Sequence, residues 1–323
     1  LWLKTFSLKR RGSPLPPSTL FPRGHTLNIM PLVGSSALGC LFGSGSVATG
    51  ASLSSALMTS VRVVPREQLF VSEPDPRMFG NDRNPPNGEA VGWTNQNWLK
   101  SMFHFSFAEW SDGPSNYGVI RVMNDDLVQP SRGFGTHPHR DMEILTFVVE
   151  GSLTHKDSMG TEETLGRGSI QFMTAGTGVR HTEHNWHKHQ PLRFIQTWVV
   201  PRRRGLPPNY GSMSADAGCA EARRDKWAHL VSDVQAVGAQ APTQINQDCN
   251  VFVTELTPGS KAPPLPVEGD RQAYMLCVEG DVLMADATRL RRHDAAQLSG
   301  PMTIELAAGE AGAMVLVFEM ARD

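Results

Sequence analysis

No aspartate or glutamate occurs in the first 66 residues of this 323-residue chain; Glu67 is the first acid. The same stretch is rich in Ser, Gly and Leu and carries Lys4, Lys9, Arg10, Arg11 and Arg23. Two readings follow. An acid-poor, Ser-rich, basic leader has the make-up of a plastid or mitochondrial transit peptide. Alternatively translation starts later, at Met30 or Met58, and a start at Met58 implies a cytoplasmic or nuclear protein. In either case residues 1–60 are expected to be disordered and to stay out of the chemistry. Cysteine is also scarce. The four residues Cys40, Cys219, Cys249 and Cys277 are scattered with no CxxC, which fits a reducing compartment and argues against a cysteine zinc site. No run of about 18 apolar residues exists, so no membrane-spanning helix is predicted. Beyond residue 60 the chain carries 25 basic against 32 acidic residues, a formal charge of −7. Such an acidic body has no electrostatic footprint for direct nucleic-acid binding.

Turn formers are abundant. With 30 Gly and 23 Pro, short apolar runs alternate with turn signals from about Ser60 onward. Val119–Met123, Ile144–Val149, Ser169–Met173 and Leu192–Val200 read as strands, and Glu150-Gly151-Ser152 as a turn into Leu153-Thr154-His155. Pro201 ends the longest strand, and the basic, Pro/Gly-rich stretch from Arg202 to Gly211 reads as an interdomain linker. Glu221 to Val231 is the clearest helix candidate. The pattern is that of an all-β sandwich or barrel. Phe147-Val148-Val149-Glu150-Gly151-Ser152-Leu153 is echoed 129 residues later by Leu276-Cys277-Val278-Glu279-Gly280-Asp281-Val282, which favours two tandem barrels.

Seven of the eleven histidines fall between positions 137 and 189. On a strand, residues i and i+2 share a face, so His137 projects with His139, and His181 with Glu183. Two such pairs on neighbouring strands can bring three imidazoles and one carboxylate to a point. That donor set suits Fe(II), Mn(II), Ni(II), Co(II), Cu(II) or Zn(II), with positions left for water, oxygen or substrate. Glu143 shares strand parity with His137 and His139 and competes for the carboxylate place. His155 reads either as a donor behind the ligands or as a solvated residue, while His184, His187 and His189 read as a polar loop after the site.

Several linked segments resemble the pirins, members of the cupin superfamily. They are Gly133-Phe134-Gly135-Thr136-His137-Pro138-His139-Arg140-Asp141-Met142-Glu143, then Glu150-Gly151 and His155-Lys156-Asp157-Ser158-Met159-Gly160. Met173-Thr174-Ala175-Gly176-Thr177-Gly178-Val179-Arg180-His181-Thr182-Glu183 completes the set. The resemblance spans about residues 60–200 strongly and 201–323 weakly. It implies a bicupin, two antiparallel jelly-roll β-barrels in tandem (61–201 and 202–323), with one divalent ion, Fe(II) by family precedent, in the first. The pirin motifs place the ligands at His137, His139, His181 and Glu183, which favours Glu183 over Glu143. Offset by 129 residues, His137 and His139 fall on Pro266 and Glu268, and His293 stands alone, so the second barrel is expected to be structural.

The resemblance also implies an activity. Pirin-like proteins of this kind are similar to flavonol (quercetin) 2,3-dioxygenases, which open the central ring of a flavonol with O₂. On that reading Glu183 accepts the 3-hydroxyl proton as general base, and Phe134, Phe172, Met173 and Trp186 line an apolar pocket for the aromatic substrate. The alternative from the same family is an iron- and redox-sensitive cofactor of transcription that binds a protein partner.

Overall fold

The computed structural model describes residues 60–82, 97–215 and 217–322. The leader expected at residues 1–60 lies outside them but for Ser60. The first half comprises β1 (Ser60–Val64), β2 (Phe70–Ser72), β3 (Leu99–Phe103), β4 (Ile120–Val128), β5 (Arg132–His139) and β6 (Glu143–Glu150). It continues with β7 (Ser152–Asp157), β8 (Glu162–Gly166), β9 (Ile170–Thr174), β10 (Val179–Asn185), β11 (Leu192–Val199) and β12 (Asn209–Met213). After α1 (Ala217–Arg223) come β13 (Ala228–Asp233), β14 (Thr243–Ile245), β15 (Cys249–Leu256), β16 (Leu265–Val267) and β17 (Arg271–Met284). β18 (Arg289–Arg291), β19 (Ala295–Ser299), β20 (Met302–Ile304) and β21 (Leu306–Ala321) complete the chain.

The all-β, two-module expectation holds, as two jelly-roll sandwiches whose sheets are not closed by hydrogen bonds into single barrels. In the first, a seven-stranded sheet (β12-β9-β6-β11-β4-β3-β2) faces a four-stranded one (β5-β10-β7-β8). In the second, an eight-stranded sheet faces the short β16-β20 pair. The helix is shorter and earlier than the sequence suggests. Its last residues precede β13, where Ala228–Val231 pairs with β15 because Leu230 and Val231 enter the core; tertiary burial overrides a mildly helical composition.

The two large sheets pack face to face. Their common core holds Leu145, Phe147, Phe172 and Ile195 from the first half, and Val251, Tyr274, Leu276 and Phe318 from the second. A row of apolar residues at one strand parity therefore glues the halves, and the opposite parity fills each sandwich. The expected boundary between halves is crossed twice. β1 pairs with β19 of the second sheet, and β12, inside the supposed linker, pairs with β9 of the first. Each half thus lends its leading strand to the other, where it covers β19 or β9 and becomes the edge strand of that sheet. The internal echo also has a structural counterpart: Gly151 (φ 76°), between β6 and β7, and Gly280 (φ 66°), at a register irregularity within β17, both adopt the left-handed region.

At the junction lies a buried ion pair. The Arg193 guanidinium donates two hydrogen bonds to Asp125 (2.8 and 2.7 Å) and a third to the carbonyl of Val278 in the second half (2.8 Å). His293, unpartnered in the sequence reading, places Nδ1 2.7 Å from Asp125 Oδ2.

Candidate metal centre

β5 and β10 pair antiparallel, with His181 directly opposite His137. The burial of β10 alternates, so Val179, His181, Glu183 and Asn185 all point inward. The two sequence pairs therefore meet inside the first sandwich. His137 Nε2 lies 3.0 Å from His181 Nε2, and the ring centroids of His137, His139 and His181 are mutually 4.4–4.9 Å apart. Glu183 Oε2 is 3.9 Å from His181 Nε2, and both side chains are buried. Among the described residues, the two groups able to hold a metal are His137-His139-His181 and His155-His181-Glu183, which share His181.

The protonation pattern favours a cation. His137 Nδ1 donates to the carbonyl of Gly135 at 2.7 Å, which leaves a lone pair on its Nε2. Behind His181, Asp157 accepts from the backbone N–H groups of Met159 and Thr161 through Oδ1, and its Oδ2 faces His155 Nε2 at 3.1 Å. Burial pushes this carboxyl up, but the His155 and backbone hydrogen bonds outweigh it and hold it below the usual range. An ionised Asp157 fixes the proton of His155 on Nε2, so His155 Nδ1 accepts from His181 Nδ1, 3.4 Å away. That leaves the lone pair of His181 on Nε2, facing the one on His137. The His139 Nε2 is buried with no hydrogen-bond partner. Burial lowers the pKa of all three imidazoles, so they are neutral near pH 7. Lone pairs converging at this separation repel one another unless a cation lies between them. The 3.0 Å nitrogen separation also fits two ligands at right angles with bonds of about 2.1 Å.

Glu143 is not part of this cluster. Arg140–Met142, with Asp141 at φ 53°, break the strand between His139 and Glu143, so the shared parity assumed from sequence does not carry across. On β6, Glu143 lies on the face of Leu145 and Phe147, which looks toward the second half. Its carboxylate is occupied by Thr174 Oγ1 (2.8 Å) and by Asn246 Nδ2 of the second half (3.0 Å).

Of the four residues expected from sequence to line an apolar pocket, Phe134 and Met173 face the sandwich interior, and Phe172 and Trp186 do not. Phe134 packs edge-on against Phe79 and Trp98 above the cluster, and Met173 sits with Ile144 and Val179 at the other end of the sandwich interior. Phe172 points into the core between the halves, because it alternates with the inward-facing Gln171 and Met173. Trp186 is 64% exposed and stacks on His184, away from the cluster. Sequence reasoning missed the polar row beneath Glu183. Gln171, Thr146, Gln196 and Asn124 are aligned in register across β9, β6, β11 and β4, all buried. Thr146 and Gln196 interrupt otherwise apolar strands at inward parity, which was the available signal. Tyr210, on the strand read as linker, stacks on His155 (4.7 Å) and contacts Glu163 and Gln171.

Next to this row, Asp126 is buried opposite Ser101 and Phe194. Burial, reinforced by the charges of Asp125 and Glu183, pushes its carboxyl up to about 8. Between the unfolded value near 4 and about 8 the folded state holds a proton that the unfolded chain has lost, so this group makes stability fall as pH rises. Asp126→Asn should therefore remove a slope of about 1.4 kcal/mol per pH unit. Denaturant midpoints of metal-free wild type and variant at pH 5.5, 6.5 and 7.5 measure it. Parallel pH dependences would refute the assignment.

A cupin of two tandem jelly rolls, with a histidine-glutamate cluster that among the described residues lies in the first, is the class this fold and site define. The chain belongs to the pirin family. The family profile described as Pirin matches residues 87–199, and one described as a quercetinase C-terminal cupin domain matches residues 231–320. A pirin-like protein of Caulobacter vibrioides is 34% identical over 237 residues, which cover 73% of this chain and 98% of that relative. A protein of Escherichia coli K12 named quercetin 2,3-dioxygenase is 45% identical over 128 residues, 39% of this chain and 55% of that one. Among solved structures, the bacterial pirin YhhW from Escherichia coli in complex with nickel(II) is similar, with a TM-score of 0.65. Its sequence identity is 26%, and the match covers 82% of this chain and all of that one.

Proposed function

We propose that the chain is a metal-dependent dioxygenase that opens flavonols such as quercetin with O₂, and that His137, His139, His181 and Glu183 hold its metal. One observation carries this reading: three neutral imidazoles and a carboxylate converge in a buried space where the His139 Nε2 has no partner. Relatives named quercetin 2,3-dioxygenase supply the substrate class. Fe(II) is the proposed ion, and the same donors accept Mn(II), Ni(II), Co(II), Cu(II) or Zn(II).

A bound divalent ion would supply Lewis-acid charge to an ionised substrate hydroxyl and a place for oxygen beside it. The chain's own groups do the rest. Glu183 is hydrogen-bonded only by donors (Gln196 at 2.9 Å, with Thr146 and Gln171 at 3.5 Å), so it is arranged as an acceptor and takes the 3-hydroxyl proton of the substrate. Phe134, Phe79 and Trp98 form an aromatic wall on one side of the cluster, and Trp198 stands edge-on to His139 at 4.8 Å on the other. These rings make the surroundings of the cluster apolar, as a planar aromatic substrate requires.

Oxygen uptake tests the reading. Metal-loaded protein given quercetin should consume O₂ and produce a ring-opened product, while His137→Ala under the same conditions should not. Uptake no greater than that of the variant, across a panel of flavonols and of the ions named above, would dismiss the enzyme.

A further inference from the structure

Beyond the four candidate ligands, the interior of the first sandwich contains a donor chain whose direction is fixed by chemistry. Trp198 Nε1 donates to Gln196 Oε1 at 3.1 Å, and Gln196 Nε2 donates to Glu183 Oε2 at 2.9 Å. Amide oxygen and nitrogen are often interchangeable in such networks, but not here. An indole N–H can only donate, so the Gln196 atom facing it must be the oxygen, and the amide nitrogen is left facing Glu183. Both residues lie on β11 two positions apart, at the parity that points into the sandwich.

We propose that Trp198 and Gln196 are positioning residues for Glu183. Together they hold the amide in one orientation and aim the carboxylate at the imidazole cluster. The oxygen they engage, Oε2, is also the one 3.9 Å from His181 Nε2. The other oxygen has only contacts at 3.5 Å, to Thr146 and Gln171, at the outer limit of hydrogen bonding. The Gln196 bond is therefore the principal anchor of the side chain. Trp198 also meets His139 edge-on, with ring centroids 4.8 Å apart at 85°, so one indole touches one arm of the cluster directly and reaches another through Gln196. Without its N–H the amide is free to turn over. A flipped Gln196 sets its carbonyl oxygen against Glu183 Oε2, and the two acceptors push the carboxylate out of place.

This inference rests on the reading that Glu183 belongs to a metal centre, and the test separates the two. Ni(II) affinity is measured by chelator competition, and Co(II) is added as a visible-absorption probe of the ligand geometry. The proteins are wild type, Gln196→Met, Trp198→Phe, the double variant, Glu183→Gln and His137→Ala. Trp198→Phe keeps an aromatic side chain beside His139 but removes the N–H together with the five-membered ring, while Gln196→Met keeps the side-chain length. Gln196→Met should weaken Ni(II) binding about 10- to 100-fold, the range typical of a group supporting a metal ligand. Trp198→Phe should weaken it in the same direction. In the double variant Trp198→Phe should add no more than a factor of about two, because it acts through Gln196. The Co(II) spectrum should move in all three. Unchanged affinity in Gln196→Met, or two independent effects that multiply in the double variant, would overturn the proposal. If Glu183→Gln also leaves affinity and spectrum unchanged while His137→Ala loses the metal, then Glu183 lies outside the centre and that prior reading fails as well. If Glu183→Gln disturbs the metal and Gln196→Met does not, the positioning role alone is wrong.

Discussion

Replacing His139 by alanine should leave a folded protein that no longer retains stoichiometric metal. Its Nε2 is buried without a partner, so in the metal-free protein the imidazole contributes no hydrogen bond that alanine would lose. Binding free energies of about 10–16 kcal/mol shared by four ligands come to about 2.5–4 kcal/mol each, so the loss of one should weaken metal binding by roughly 70- to 900-fold. Two measurements decide it. Elemental analysis should find wild type loaded and His139→Ala empty after the same anaerobic purification. Thermal unfolding should show that added metal raises the Tm of wild type and not of the variant, because only an ion that binds the native state stabilises it. If His139→Ala kept its metal and its metal-dependent shift, the three-histidine centre would be refuted.

The second large effect lies far from the cluster. Arg193→Met should destabilise the protein by about 3–5 kcal/mol, since it strands the Asp125 carboxylate in the core between the two halves. Burial raises the pKa of Asp125, but the Arg193 charge and hydrogen bonds, with His293, overcome it and hold the carboxyl well below its ordinary range. The folded pKa is thus depressed. The pair's contribution is complete above the unfolded value near 4 and is lost as pH falls below it. The joint replacement Asp125→Leu with Arg193→Met should recover much of the loss, because it removes the buried charge along with its partner. Urea midpoints of the three variants at pH 7 test this. A single variant within about 0.5 kcal/mol of wild type would show that the junction does not depend on the ion pair.

The contrast between Asp125 and Asp126 shows how adjacent residues with the same side chain diverge. They point to opposite faces of β4. Asp125 meets Arg193 at the junction and stays ionised, whereas Asp126 has no cation beside it and keeps its proton to about pH 8. Nothing in the dipeptide distinguishes them before the sheet assigns each a face.

Local periodicity carries this kind of information only within one strand. It paired His137 with His139 and His181 with Glu183, since two-residue alternation is a property of the extended backbone. The strands β4, β6, β9 and β11 were legible for the same reason, as was the echo around Gly151 and Gly280. The parity argument failed for Glu143 because three residues with a left-handed Asp141 intervene, and a strand break resets the faces. It also could not tell which core Phe172 serves, for β9 is buried on both sides.

What the sequence determined by itself was the all-β character, the tandem layout and the identity of the candidate ligands, since each follows from short-range spacing and from linked motifs. Only the tertiary structure decided the rest. It set His181 against His137, put Asp157 and His155 behind them and led Trp198 through Gln196 to Glu183. It also exchanged β1 and β12 between the halves, turning a supposed linker into the strand that carries Tyr210. Most of these contacts join residues on different strands, fixed by sheet register and by which face each strand buries, and neither quantity is written in the local pattern of the chain.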